Sequence, residues 1–176
     1  MQFTPGTVDG AFVIEPELRR DERGFFARQW CAAELSARGL VAGIAQINTA
    51  VSPRRGTLRG LHYQLVPHAE VKIARCCRGA VFDVAVDLRP ASRTFRRWMG
   101  VELSAANGRL LYVPEGCAHG YLTLSDDVEL MYLTSRPYAP DAARGVRYDD
   151  PAFGIDWPAA VALVSPADRS WPLFTA

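Results

Sequence analysis

Lys72 is the one lysine in a chain of 176 residues that otherwise uses arginine, nineteen times, for its strong cations. An ammonium is a compact charge with three rotatable donors, whereas a guanidinium is a planar fork. Lys72 lies in the run Val71-Lys72-Ile73-Ala74-Arg75-Cys76, where strand alternation sets it on one face with Ala74 and Cys76. Small neighbours leave a long cation room to reach a ligand. A lysine snorkelling from a solvent face fits the same pattern, and position alone does not separate the two readings.

Three further stretches carry groups able to bind anions or move protons. Arg59-Gly60-Leu61-His62-Tyr63-Gln64 packs a cation, a base and an amide into one run. Plain alternation puts Arg59 and His62 on opposite faces, but Gly60 permits a bulge that brings them together. Pro114-Glu115-Gly116-Cys117-Ala118-His119-Gly120-Tyr121 has small residues that let backbone approach a ligand. Tyr132 shares a face with Leu130 and Thr134, and Tyr138 follows in a turn flanked by prolines. Singly, such residues are more often core groups satisfying one hydrogen bond. Together, Arg, His, Lys and Tyr in one polar interior suit an anionic substrate and proton transfer. A histidine with a pKa of about 6.5 serves as base, a tyrosine returns the proton, and a lysine stabilises an enolate oxygen. No activated nucleophile, phosphate loop or dinucleotide fingerprint is present.

Other chemistries fit poorly. The three histidines, His62, His68 and His119, include no HxH pair, and His68 falls in the polar turn Pro67-His68-Ala69-Glu70, so no metal site is expected. Cys31, Cys76, Cys77 and Cys117 form no CxxC pair and are expected to be buried free thiols. A net charge of +1 favours neither nucleic acid nor an anionic membrane. No apolar run reaches the ~18 residues of a membrane span. The first residues lack the plan of a signal peptide, so a cytoplasmic protein is expected.

The elements that must position these groups read as short strands. They are expected at Ala11–Glu15, Gly24–Trp30, Ala45–Val51, Thr57–Gln64, Val71–Arg78, Ala80–Leu88, Arg96–Leu103, Arg109–Val113, Gly120–Leu124 and Glu129–Ser135, broken by Pro and Gly turns. Ala32–Arg38 reads as a short helix with Gly39 as its left-handed stop, and Ala159–Leu163 as a second short helix. The pattern implies an all-β sandwich or small barrel of jelly-roll type with short peripheral helices, one domain spanning residues 1–176.

In order along the chain, these motifs resemble the dTDP-4-dehydrorhamnose 3,5-epimerases, a family with the cupin-type jelly-roll fold. The resemblance runs from about Gly10 to Asp168. It rests on Asp21-Glu22-Arg23-Gly24-Phe25-Phe26, Gln46-Ile47-Asn48, Gly56-Thr57-Leu58-Arg59-Gly60-Leu61-His62-Tyr63-Gln64, Lys72, and Asp83-Val84-Ala85-Val86-Asp87-Leu88-Arg89. Pro114-Glu115-Gly116, Ala118-His119-Gly120, Tyr132, Tyr138-Ala139-Pro140 and Asp149-Asp150-Pro151 continue it. Each piece is weak, but the ordered set is specific.

The resemblance implies epimerisation at C3 and C5 of a nucleotide-linked 4-keto-6-deoxyhexose. It matches His62 to the base, Asp168 to the carboxylate that orients it, Tyr132 to the acid and Lys72 to the residue at the C4 oxygen. Arg59 and His119 match positions near diphosphate and sugar, and Gln46, Asn48 and Tyr138 match ligand contacts. Arg23 and Phe25 match a segment that reaches into the neighbouring subunit's site, implying a homodimer. No metal or organic cofactor is implied. Arg28 and Ala143 stand where glutamates associated with the nucleotide are common, and Cys117 where Phe is frequent, which would widen the mouth of the site. A 3- or 5-epimerase of a GDP- or CDP-linked keto sugar, and a non-catalytic sugar-nucleotide binding barrel, are the alternatives.

Overall fold

The computed structural model of the chain describes residues 1–175. Two antiparallel sheets face each other. The first joins β1 (Gln2–Pro5), β2 (Phe12–Glu15), β10 (Leu110–Val113), β7 (Lys72–Arg78), β12 (Val128–Thr134) and β5 (Gln46–Ser52), in that order. The second orders β13 (Ala143–Gly145), β6 (Thr57–Gln64), β11 (Cys117–Thr123), β8 (Ala80–Asp87) and β9 (Trp98–Ser104), with β14 (Leu163–Val164) parallel to β6. A separate hairpin pairs β3 (Arg19–Asp21) with β4 (Gly24–Phe26). The helices are α1 (Ala32–Ser36) and α2 (Pro166–Arg169). The chain is an all-β jelly roll, and among the described residues no helix is long and apolar enough to cross a membrane.

Alternation decides what enters the space between the sheets. Ala74, Cys76, Val81, Ala85, Leu103, Leu111, Cys117 and Leu130 fill part of it with an apolar core. Residues of opposite parity, among them Ile14, Ile73, Leu110 and Leu133, turn outward under α1 and its Leu35. Leu61, Val84, Val86 and Ala118 do the same on the second sheet, under Val146 and Phe153. Much of the outer face of each sheet is therefore covered, although Ile47 and Val51 on β5 stay exposed, and the remaining interior is polar.

The expected strands appear, with instructive differences. The run from Gly24 stops at Phe26 rather than Trp30. β11 starts at Cys117 rather than Gly120, because Cys117, Ala118 and His119 pair with Asp87, Val86 and Ala85. The expected helix at Ala159–Leu163 is absent. Ala162 and Leu163 instead donate to the Gly56 carbonyl at 2.8 and 3.1 Å, and pairing with β6 overrides helix propensity. The expected helix at Ala32–Arg38 ends at Ser36, and Gly39 follows at φ +70°. Of the thiols, Cys76 and Cys117 are buried, but Cys31 and Cys77 are partly exposed.

Candidate active site

One wall of the site is made by a bulge in β6. His119 pairs with His62 and Tyr121 with Arg59, so β6 holds one more residue than β11 across the same interval. Gly60 lies there at φ +129°, and a Cβ on it would sit 2.6 Å from the Gly120 Cα. Only glycine allows the two backbones to approach so closely. The extra residue turns Arg59 and His62 toward one cavity, which unbroken alternation forbids.

The end of the chain completes this wall. β14 returns alongside Thr57 and Leu58 and leads into α2. Ser165 caps α2 by accepting from the Asp168 amide at 3.0 Å, with Pro166 at the first helical position. This Ser-Pro-Ala-Asp start presents Asp168 to β6. Its Oδ1 lies 2.6 Å from His62 Nε2, and its Oδ2 accepts from the Gly60 amide at 3.3 Å. Burial alone would raise the carboxyl pKa, but the His62 contact, the Gly60 amide and the Ser165 hydroxyl outweigh it and hold it below its ordinary value. An ionised Asp168 requires the proton on His62 Nε2 and leaves Nδ1 as the basic nitrogen. The His62 side chain is 46 % exposed, open to the cavity.

The facing wall comes from the first sheet. Tyr132 pairs with Ala74 and Asn48, and Thr134 with Lys72 and Gln46. These registers place Lys72, Tyr132, Asn48 and Gln46 on one inward face. The Lys72 side chain is only 11 % exposed, which excludes a snorkelling lysine. Its Nζ donates to the His62 carbonyl at 3.0 Å and pairs with Glu70 at 3.1 Å. Burial lowers its pKa, opposed by the charges of Glu70 and Asp83. Burial raises the Tyr132 phenol above its usual pKa, partly offset by Arg59, so it is a neutral donor near pH 7.

The cavity has two lobes, of about 510 and 650 Å³. Arg59, His119 and Tyr121 border the first; Gln46, Asn48, Tyr138 and Ala143 border the second. Among the described residues, His62, Lys72, Tyr132 and Asp168 alone border both. The four residues matched to catalytic roles in the sequence thus share the junction of the lobes.

Other sites expected from sequence fall elsewhere. Arg23 and Phe25 lie on the β3–β4 hairpin, outside both lobes; the Arg23 side chain is 84 % exposed and pairs with Asp21. Arg28 pairs with Glu34 of α1 at 3.1 Å, also away from the cavity. Cys117 does not widen a mouth: it is buried in the apolar core, and burial pushes its thiol up to about 12. Two acids were given no role from the sequence. Asp83 accepts from His119 Nε2 at 2.8 Å, and Glu70 reaches Lys72. Parity was the available signal, since Glu70 precedes Lys72 by two and Asp83 precedes inward Ala85 by two.

Comparison with known proteins agrees with this geometry. The family model for dTDP-4-dehydrorhamnose 3,5-epimerase matches residues 5–176. An enzyme of that name from Methanothermobacter thermautotrophicus is 43% identical over 173 residues, 97% of this chain and 92% of the relative. A dTDP-4-dehydrorhamnose 3-epimerase from Streptomyces niveus is 41% identical over 171 residues, 96% of this chain and 82% of the relative. The crystal structure of the 3,5-epimerase from Elizabethkingia anophelis superposes with a TM-score of 0.96 at 36% identity, covering 99% of this chain and 96% of that one. Matched over nearly its whole length in sequence and fold, the chain belongs to the dTDP-4-dehydrorhamnose 3,5-epimerase family.

Proposed function

We propose that this protein epimerises a dTDP-linked 4-keto-6-deoxyhexose at C3 and C5, converting dTDP-4-dehydro-6-deoxy-D-glucose to dTDP-4-dehydro-L-rhamnose. Both carbons adjoin the C4 ketone, so loss of a proton from either sends the electron pair to the C4 oxygen. His62 Nδ1 takes that proton while Asp168 stabilises the imidazolium through Nε2. Lys72 donates to the developing enolate oxygen, a contribution of about 3–4 kcal/mol for one preorganised donor. Tyr132 gives its proton to the carbon from the opposite side, and the ketone reforms. The reaction moves protons only, with no net oxidation, and so calls for no cofactor.

The observation that carries this reading is the shared border of the two lobes by His62, Lys72, Tyr132 and Asp168. His62 and Tyr132 also stand on opposite sheets, which suits removal and return of a proton at opposite faces of a sugar ring. In this reading Arg59 and His119 contact diphosphate and sugar, and Gln46, Asn48 and Tyr138 contact the nucleotide. Arg23 and Phe25 serve the site of a second subunit in a homodimer, consistent with a hairpin that stands off its own cavity.

The test is incubation with dTDP-4-dehydro-6-deoxy-D-glucose in deuterated water, read by NMR. Deuterium is expected at both C3 and C5, with none for His62→Ala. Absence of uptake with the wild-type chain would sink the proposal. Uptake at C3 alone would favour single-centre inversion, a second reading motivated by the relative that is a 3-epimerase.

A further inference from the structure

Three carboxylates each hold one basic group of the cavity. Asp168 holds His62 and Asp83 holds His119, at 2.6 and 2.8 Å. Glu70 holds Lys72, with Oε1 3.1 Å from Nζ. Glu70 lies in the connection entering β7, and its parity returns its side chain to the inward face, where it is 5 % exposed and borders the larger lobe. Its Oε2 is buried and, among the described residues, meets no donor. An unpartnered buried carboxylate oxygen costs stability.

The ammonium has three protons to donate. One goes to the His62 carbonyl and another faces its ion-pair partner Glu70, 3.1 Å away, which leaves one. We propose that Glu70 is a positioning residue: with the His62 carbonyl it fixes two donors of Lys72 so that the third is held for the oxygen anion forming on the substrate. This rests on the reading that the C4 oxygen gathers charge beside Lys72. A guanidinium or a freely rotating ammonium would not keep that single direction.

The charge of Glu70 has a second consequence. Burial strips water from Lys72 and favours the neutral amine, and Glu70 is the strongest opposing influence, followed by Asp83. The other ionisable groups on the walls are His62, Arg59 and Tyr63 on β6, His119 and Tyr121 on β11, Tyr132 on β12, Arg136 and Tyr138 just after it, Arg144 on β13 and Asp168 on α2. Asp83 and Asp168 are each bonded to an imidazole, which leaves Glu70 as the carboxylate in direct contact with the ammonium. Without its charge the ammonium loses its proton at lower pH, and turnover is lost from the alkaline side first.

Because Lys72 is the only lysine, lysine labelled with ¹³C at Cε reports its titration by a single NMR signal, without substrate. Replacing Glu70 by Gln is expected to lower the Lys72 midpoint by about one to three units. At pH values above both midpoints, kcat should fall about tenfold for each unit the midpoint drops, with KM little altered. Glu70→Asp should restore the midpoint. An unchanged midpoint with undiminished kcat in Glu70→Gln would overturn the proposal. If that variant does not fold, the wild-type midpoint decides: above about 7 supports the clamp, and below it, toward the range of a buried lysine without a counter-charge, overturns it. The NMR titration is independent of turnover, so a wild-type chain without deuterium exchange would remove the epimerase reading, and with it the destination of the third donor, while the hold of Glu70 on Lys72 stands or falls by the titration.

Discussion

At the scale of single residues, charge alone does not describe Lys72. Its side chain is 11 % exposed and bonded to a carbonyl of the strand that carries His62. Lys72→Arg keeps the charge but replaces three rotatable donors by a planar fork that cannot fit the same clamp. We expect a loss of about a hundredfold in kcat, the scale of removing one preorganised donor, with a thermal midpoint near that of the parent. Steady-state kinetics beside a melting curve checks both, and full activity would return Lys72 to a structural role. Its inward face with Ala74 and Cys76 was legible from alternation. Its clamp was less so: Glu70 shares the parity of Lys72, but it reads as part of a turn, where alternation does not fix a face.

At the scale of elements, the bulge in β6 and the β14–α2 return do most to assemble the site. Gly60 announced the bulge in the sequence, since alternation without it separates Arg59 from His62. Gly60→Ala places a Cβ 2.6 Å from the Gly120 backbone, and backbone there has no slack. Destabilisation of about 1–3 kcal/mol is expected by urea unfolding. Turnover of the folded fraction should also fall, because any shift of β6 moves His62 from Asp168. Parental stability and rate together would show that the bulge does not need glycine. The β14–α2 return was less legible. Its Ala-rich lead favours helix locally, and only the open edge of β6 gives Leu163 and Val164 a strand partner. The β3–β4 hairpin was half seen, because Arg19-Arg20-Asp21 is polar throughout and shows no alternation.

At the scale of the whole molecule, the proposed dimer makes a test that single chains cannot pass. Phe25 and Phe26 are 55% and 68% exposed on a hairpin paired only with itself. If this hairpin completes a second subunit's site, co-folding a His62→Ala chain with an Arg23→Ala/Phe25→Ala chain should restore activity in mixed dimers, at about a quarter of all sites. No restoration in mixed dimers confirmed by mass would reject shared sites. The fold class, most strands and the bulge followed from the sequence alone, because alternation, glycine and turn chemistry act between near neighbours. The meeting of Asp168 with His62 and of Asp83 with His119 was decided by the tertiary structure. Those contacts depend on which strands become neighbours and where the chain's end returns, and no local periodicity carries that information.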